Sequence, residues 1–149
     1  MRYLIDTNIL LRFFDRQDPR NSDILAALDI LTTNNAEVYI CGQVLIEYWA
    51  AATRPREVNG LGLSPQQADV NLADIETLFE CLPEPFDVID RWRQLAREYS
   101  VSGKQAHDTR IAAFMLAYNI THILTLNSND FSRYEGIIPI TPHELINNI

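Results

Sequence analysis

The chain has a single lysine, few glycines and little cysteine, and these shortages narrow what it can be. Its two cysteines, Cys41 and Cys81, are too few for a disulfide framework and show no metal-ligand spacing. Both are expected to be buried thiols. No apolar run approaches the length that spans a bilayer. The start has no basic region, plain apolar stretch and small-residue cleavage site in succession. A cytoplasmic location without membrane contact is therefore expected. An excess of positive charge is also missing: 12 Lys and Arg stand against 20 Asp and Glu, for a net charge of −8. A protein that holds nucleic acid by charge alone needs a basic face, so the net charge argues against that class. An enzyme acting on nucleic acid is not, because acids that gather around a divalent cation look equally negative in the sequence. Lys104 is the one lysine among the 12 cations. The other cations are arginines, which suit bidentate phosphate contacts and are equally explained by genomic codon bias.

What is present is ordinary for a globular protein, with 47% hydrophobic and 21% charged residues in a chain of 149. No repeat, low-complexity tract or linker divides it, so residues 1–149 are expected to form one domain. Tyr3 to Ile5 reads as a short strand and Asn8 to Phe14 as a helix. Asn21 or Ser22 can cap a second helix carrying Ile24, Leu28 and Leu31 on one face. EVYIC, from Glu37 to Cys41, follows an Asn-Asn turn and reads as a strand. GQVLIEYWAAAT is helical up to Pro55, with apolar residues all around it. Ser64, Pro65 and Gln67 mark another helix start. LFECL is open between helix end and strand. Ile89 to Tyr99 and DTRIAAFMLAY read as helices, HILTL and GIIPI as strands, and TPHEL as a short capped helix. Trp49 and Trp92 fall on helical stripes and are expected in the core. Strands alternating with helices predict an α/β fold, a three-layer α/β/α sandwich around a central, mainly parallel sheet.

The opening MRYLIDTNILLRFFDR places Asp6 between two apolar runs. A lone buried acid is costly unless capped, paired or bound to a cation. Three further acids recur at comparable points of the scaffold. Glu47 sits inside an apolar helix, Asp108 opens DTRIAAFMLAY, and Asp130 follows HILTL with Asn127 three residues before it. All four are expected at one edge of the sheet, the carboxyl edge where α/β proteins hold ligands. Taken singly, Asp6 and Asp108 also read as helix caps and Asp130 as a turn residue. Acids that converge without a cation repel one another. An oxygen-only donor set suits Mg²⁺ or Mn²⁺, and such an ion supports phosphodiester hydrolysis.

The pieces LIDTNILL, QVLIEYWAAATRP, SGKQAHDTRIAAFM and HILTLNSNDF, in this order, resemble the PIN-domain ribonucleases, in particular VapC-type toxins of toxin–antitoxin pairs. The resemblance implies that Asp6, Glu47 and Asp108 are the principal acids that bind Mg²⁺ or Mn²⁺, with Asp130 a fourth. Asn127 stands where many relatives have an acid and would be a supporting residue. It also implies that Thr7, Asn8 and Thr125 support the site, that the substrate is RNA, that a small antitoxin neutralises the protein, and that the chain forms a homodimer. His107 is expected to be a hydrogen-bonded neighbour, Lys104 and Arg110 solvated cations, and Arg54 a brace for the Glu47 helix. Two other classes remain. One is a silent RNA- or protein-binding module with a nuclease-like fold. The other is a Mg²⁺-dependent phosphoacceptor domain, which would need an acidic pair after the first strand, where this chain has Asp6 followed by Thr7.

Overall fold

The computed structural model describes residues 1–148. Among them five strands form one sheet: β1 (Arg2–Ile5), β2 (Glu37–Ile40), β3 (Glu80–Cys81), β4 (His122–Leu124) and β5 (Ile138–Ile140). Their order is β3-β2-β1-β4-β5 and every pairing is parallel. β1 takes the centre because Tyr3, Leu4 and Ile5 are apolar on both faces and all buried, as a strand covered on both sides requires. Leu4 lies opposite Tyr39 on one side and Ile123 on the other.

The described helices are α1 (Thr7–Phe13), α2 (Asn21–Thr33), α3 (Gly42–Thr53), α4 (Pro65–Leu78), α5 (Val88–Glu98), α6 (Gln105–Ala117) and α7 (Pro142–Asn147). α1 packs on α2 and α3, α3 on α4, and α2 on α7, while α5 pairs with α6. This is the expected three-layer sandwich, with a sheet that is wholly parallel. The chain steps outward from β1 to β2 and β3, then crosses back through α5 and α6 to lay β4 on the far side of β1. That reversal creates a switch point between β1 and β4, and a crevice beyond their carboxyl ends.

Local chemistry fixes several boundaries. Ser64 and Gln67 close a capping box at α4, and Thr141 and Glu144 close another at α7. Asn35 and Asn119 take left-handed φ values of 53° and 55° just after α2 and α6. LFECL resolves into the end of α4 followed by β3. No described helix is long and apolar enough to cross a membrane.

Four expectations need correction. Neither Asn21 nor Ser22 caps α2, whose N-cap is Arg20 without a side-chain bond. Asn21 instead donates to the carbonyls of Arg12 at 2.8 Å and Phe13 at 3.0 Å, closing the end of α1. Cys81 is exposed because β3 is a sheet edge, whereas Cys41 is buried and burial pushes its thiol up to about 12. α3 is not buried all around: Val44, Tyr48, Ala51 and Ala52 form its core stripe, while Ile46 is 72% exposed. Trp49 is half-buried rather than in the core.

After α3 the chain folds back on the helix end, and its amides satisfy the last carbonyls. Leu63 donates to Ala52 at 2.9 Å and Gly62 to Arg54 at 2.8 Å. The approach is so close that a Cβ at Gly60 would lie 1.9 Å from the Arg54 carbonyl oxygen. Gly60→Ala is expected to cost about 2–4 kcal/mol in urea unfolding, since backbone meets backbone and no side chain can yield. Gly103, at φ 62° with nothing within 4 Å of its would-be Cβ, gives the contrast: Gly103→Ala should cost only about 1 kcal/mol of left-handed strain.

Candidate active site

Asp6 leaves β1 at the switch point, and its amide still pairs with the Leu124 carbonyl of β4 at 3.0 Å. Asp6 is 7% exposed, and both of its carboxylate oxygens accept hydrogen bonds. Oδ1 accepts from the Thr7 amide at 2.8 Å, which caps α1. Oδ2 accepts from the Thr125 hydroxyl at 2.7 Å and from Asn8 Nδ2 at 3.1 Å. Asp6 is therefore both a helix cap and a lining residue of the crevice. Thr125, buried just past β4, also accepts from the Asn127 amide at 3.1 Å. Asn8 Oδ1 accepts from the Leu126 amide at 3.0 Å. These bonds tie the loop after β4 to the start of α1.

Glu47 comes from the second turn of α3. Its Oε2 accepts from the Thr7 hydroxyl at 3.0 Å and its Oε1 from Gln43 Nε2 at 2.8 Å. Asp108 lies in the first turn of α6, which begins at Gln105, three residues earlier than expected. It is half-buried. Asp130 closes a short 3₁₀ turn, Ser128–Asp130, and is exposed, as is Asn127. Asp6, Glu47, Asp108, Asp130 and Asn127 line one groove of about 350 Å³, with Arg54 on its wall. Arg54 is exposed and forms no ion pair among the described residues.

The acids share an electrostatic field. Burial raises Asp6 to about 6, opposed by the Thr125 and Thr7 hydrogen bonds and reinforced by repulsion from Glu47 and Asp130. Burial also raises Asp108 to about 7, followed by repulsion from Asp130, Asp6 and Glu47, against a smaller pull from Arg133. Among the described residues, no three His, Cys, Asp or Glu side chains are drawn together tightly enough to grip an ion as they stand. Glu47 is turned toward Gln43 and Thr7, and Asp6 toward Thr125 and Asn8. The donor chemistry nevertheless fits a hard divalent cation: only oxygens, mostly anionic, two of them on desolvated carboxyls that repel their neighbours.

A second cavity, of about 540 Å³, lies on the other side of Glu47 and is lined by Gln43, Ile46, Glu84, His107 and Arg110. Arg110 is not a solvated cation: it donates to Gln43 Oε1 at 3.0 Å and to Glu84 Oε2 at 3.0 Å. His107 is exposed, and its carbonyl accepts from Gln43 Nε2 at 2.8 Å. Gln43 was absent from the sequence reading, though its position four residues before Glu47 on one helix face was a usable signal. Glu84, in an irregular segment after β3, gave none. Trp92 is half-buried, and its Nε1 donates to the Ala106 carbonyl at 2.8 Å, seating α5 against the first turn of α6.

The PIN domain family model matches residues 3–137. The chain belongs to the PIN domain family. Over 130 residues this PIN domain is 27% identical to Ribonuclease VapC24 of Mycobacterium tuberculosis, across 87% of this chain and 89% of that one. VapBC2 from Rickettsia felis, solved bound to a DNA fragment from its promoter, shares the fold with a TM-score of 0.73 and 19% identity, over 95% of this chain and 98% of that chain. A toxin–antitoxin complex from Klebsiella pneumoniae gives 0.63 and 22%, over 95% and 98%.

The raised carboxyls have a consequence for the metal-free PIN domain. A folded-state pKa above the ordinary 3.8 means that the folded protein holds those protons more tightly than the unfolded chain. Stability from Asp6 and Asp108 is therefore present at low pH and lost as pH rises from about 4 through about 7. In chelator, the melting temperature of Asp6→Asn relative to wild type should rise between about pH 5 and about pH 7.5, because the variant lacks the buried charge that wild type acquires over that range. Equal gaps in calorimetry at both pH values would refute this account of Asp6.

Proposed function

We propose that the chain is a divalent-metal-dependent endoribonuclease and the toxin of a toxin–antitoxin pair, working in the cytoplasm. The observation that carries this reading is the groove at the β1–β4 switch point, where Asp6, Glu47, Asp108 and Asp130 share one space. The similarity to Ribonuclease VapC24 and the fold shared with a toxin–antitoxin complex support the RNA substrate and the antitoxin partner.

Asp6, Glu47 and Asp108 would hold Mg²⁺ or Mn²⁺, with Asp130 or Asn127 completing the set. Such an ion lowers the pKa of a bound water and screens charge on a phosphodiester. The chain's own residues prepare the donors. Thr125 and Asn8 aim the Asp6 carboxylate, and Thr7 ties Asp6 to Glu47 through its amide and its hydroxyl. Arg54 offers an uncommitted guanidinium to the phosphates of an entering strand. The acidic lining also complements a basic antitoxin segment, which would exclude RNA by occupying the same groove.

Asp6→Asn should lower Mn²⁺-dependent cleavage of single-stranded RNA by about 10²-fold or more, the scale of losing one anionic ligand from such a site, with the far-ultraviolet circular dichroism unchanged. Expression of wild type should arrest bacterial growth, and expression of the variant should not. Wild-type protein that cuts no RNA with either ion, or a variant that cuts equally fast, would end the nuclease reading.

A further inference from the structure

We infer that Gln43 is a positioning residue for Glu47, held in place by a brace that runs from Glu84 through Arg110. Both polar atoms of the Gln43 amide are assigned by geometry. One N–H of Nε2 donates to Glu47 Oε1 at 2.8 Å, and the other to the His107 carbonyl at 2.8 Å. Oε1 accepts from Arg110 at 3.0 Å. A flipped amide would set its oxygen against two acceptors and its nitrogen against a guanidinium, so only one orientation satisfies the partners. The second arm of the Arg110 fork donates to Glu84 Oε2 at 3.0 Å, which fixes the plane of the guanidinium.

The brace joins two helices that each deliver an acid. Gln43 and Glu47 are one turn apart on α3, while His107 and Arg110 flank Asp108 in the first turns of α6. By bonding at once to Glu47 and to the carbonyl beside Asp108, Gln43 sets the spacing between the two acids. Thr7 holds the second oxygen of Glu47 at 3.0 Å, so the carboxylate is gripped from both ends. Arg110 acts through Gln43 and not on the substrate, since both arms of its fork are engaged within the protein.

The consequences for catalysis rest on the nuclease reading, but the brace does not, and the test separates the two. In the metal-free protein, nuclear magnetic resonance should show the Gln43 side-chain amide protons exchanging at least about tenfold more slowly than those of exposed Gln66, and Arg110→Ala should abolish that protection. Protection equal to that of Gln66, or unchanged in Arg110→Ala, overturns the inference whether or not the protein is a nuclease. With Mn²⁺ as the probe, calorimetric affinity should fall about tenfold in Gln43→Met, which keeps the volume but loses the hydrogen bonds. The kcat for RNA should fall by a similar factor, with KM within about twofold. Arg110→Ala should reproduce this loss, and the double variant should be no worse than Gln43→Met alone. Wild-type Mn²⁺ affinity in Gln43→Met, or losses that multiply in the double variant, would overturn it. If wild type cuts no RNA, the nuclease reading fails and the amide protection alone decides the brace.

Discussion

A carboxylate withheld from water at the seam of two parallel strands sets the terms for this molecule. Asp6 is placed there by the strand order: β1 is the pivot about which the sheet reverses, so the residue that follows it must face the crevice. Desolvation makes its charge expensive, and the surrounding residues answer with a hydroxyl, a carboxamide and a backbone amide. The same residue starts α1, joins the β4 ladder and faces the acids of α3 and α6. Fold and site are therefore a single problem at this point.

The scaffold was readable because its signals are local. The apolar run Tyr3–Leu4–Ile5 needs burial on both faces, and the boxes at Ser64 and Thr141 and the left-handed asparagines are short-range chemistry. That the four acids would share one groove was readable for a related reason. Asp6 and Asp130 follow strands, Asp108 lies in the first turn of a helix and Glu47 in the second turn of another, and an acid inside the apolar surroundings of Glu47 is hard to explain as surface. Membership of the PIN domain family agrees with the sequence resemblance.

What escaped the sequence was the polar wiring between elements. Asn21 has the composition of a cap and acts as one, but for the helix before it rather than its own. Arg110 has the composition of a surface cation and is bonded across a helix gap to Gln43 and Glu84. Residue type limits what a side chain can donate or accept. The partner depends on how distant segments pack, and periodicity carries no trace of that. Cys81 and Ile46 mark the same limit from the apolar side: an edge strand and a cavity wall leave exposed what composition alone would bury.

The hairpin-like return after α3 ties a distant, chemically plain residue to the acidic groove. Residue 60 abuts the main chain of Arg54 with room for hydrogen alone, so the arginine's anchorage is dictated by backbone apposition. Arg54 itself is exposed and stands on the wall of the acidic groove. The return can close against Arg54 only with glycine at position 60, so an atom that is not present decides where the arginine meets the acidic groove.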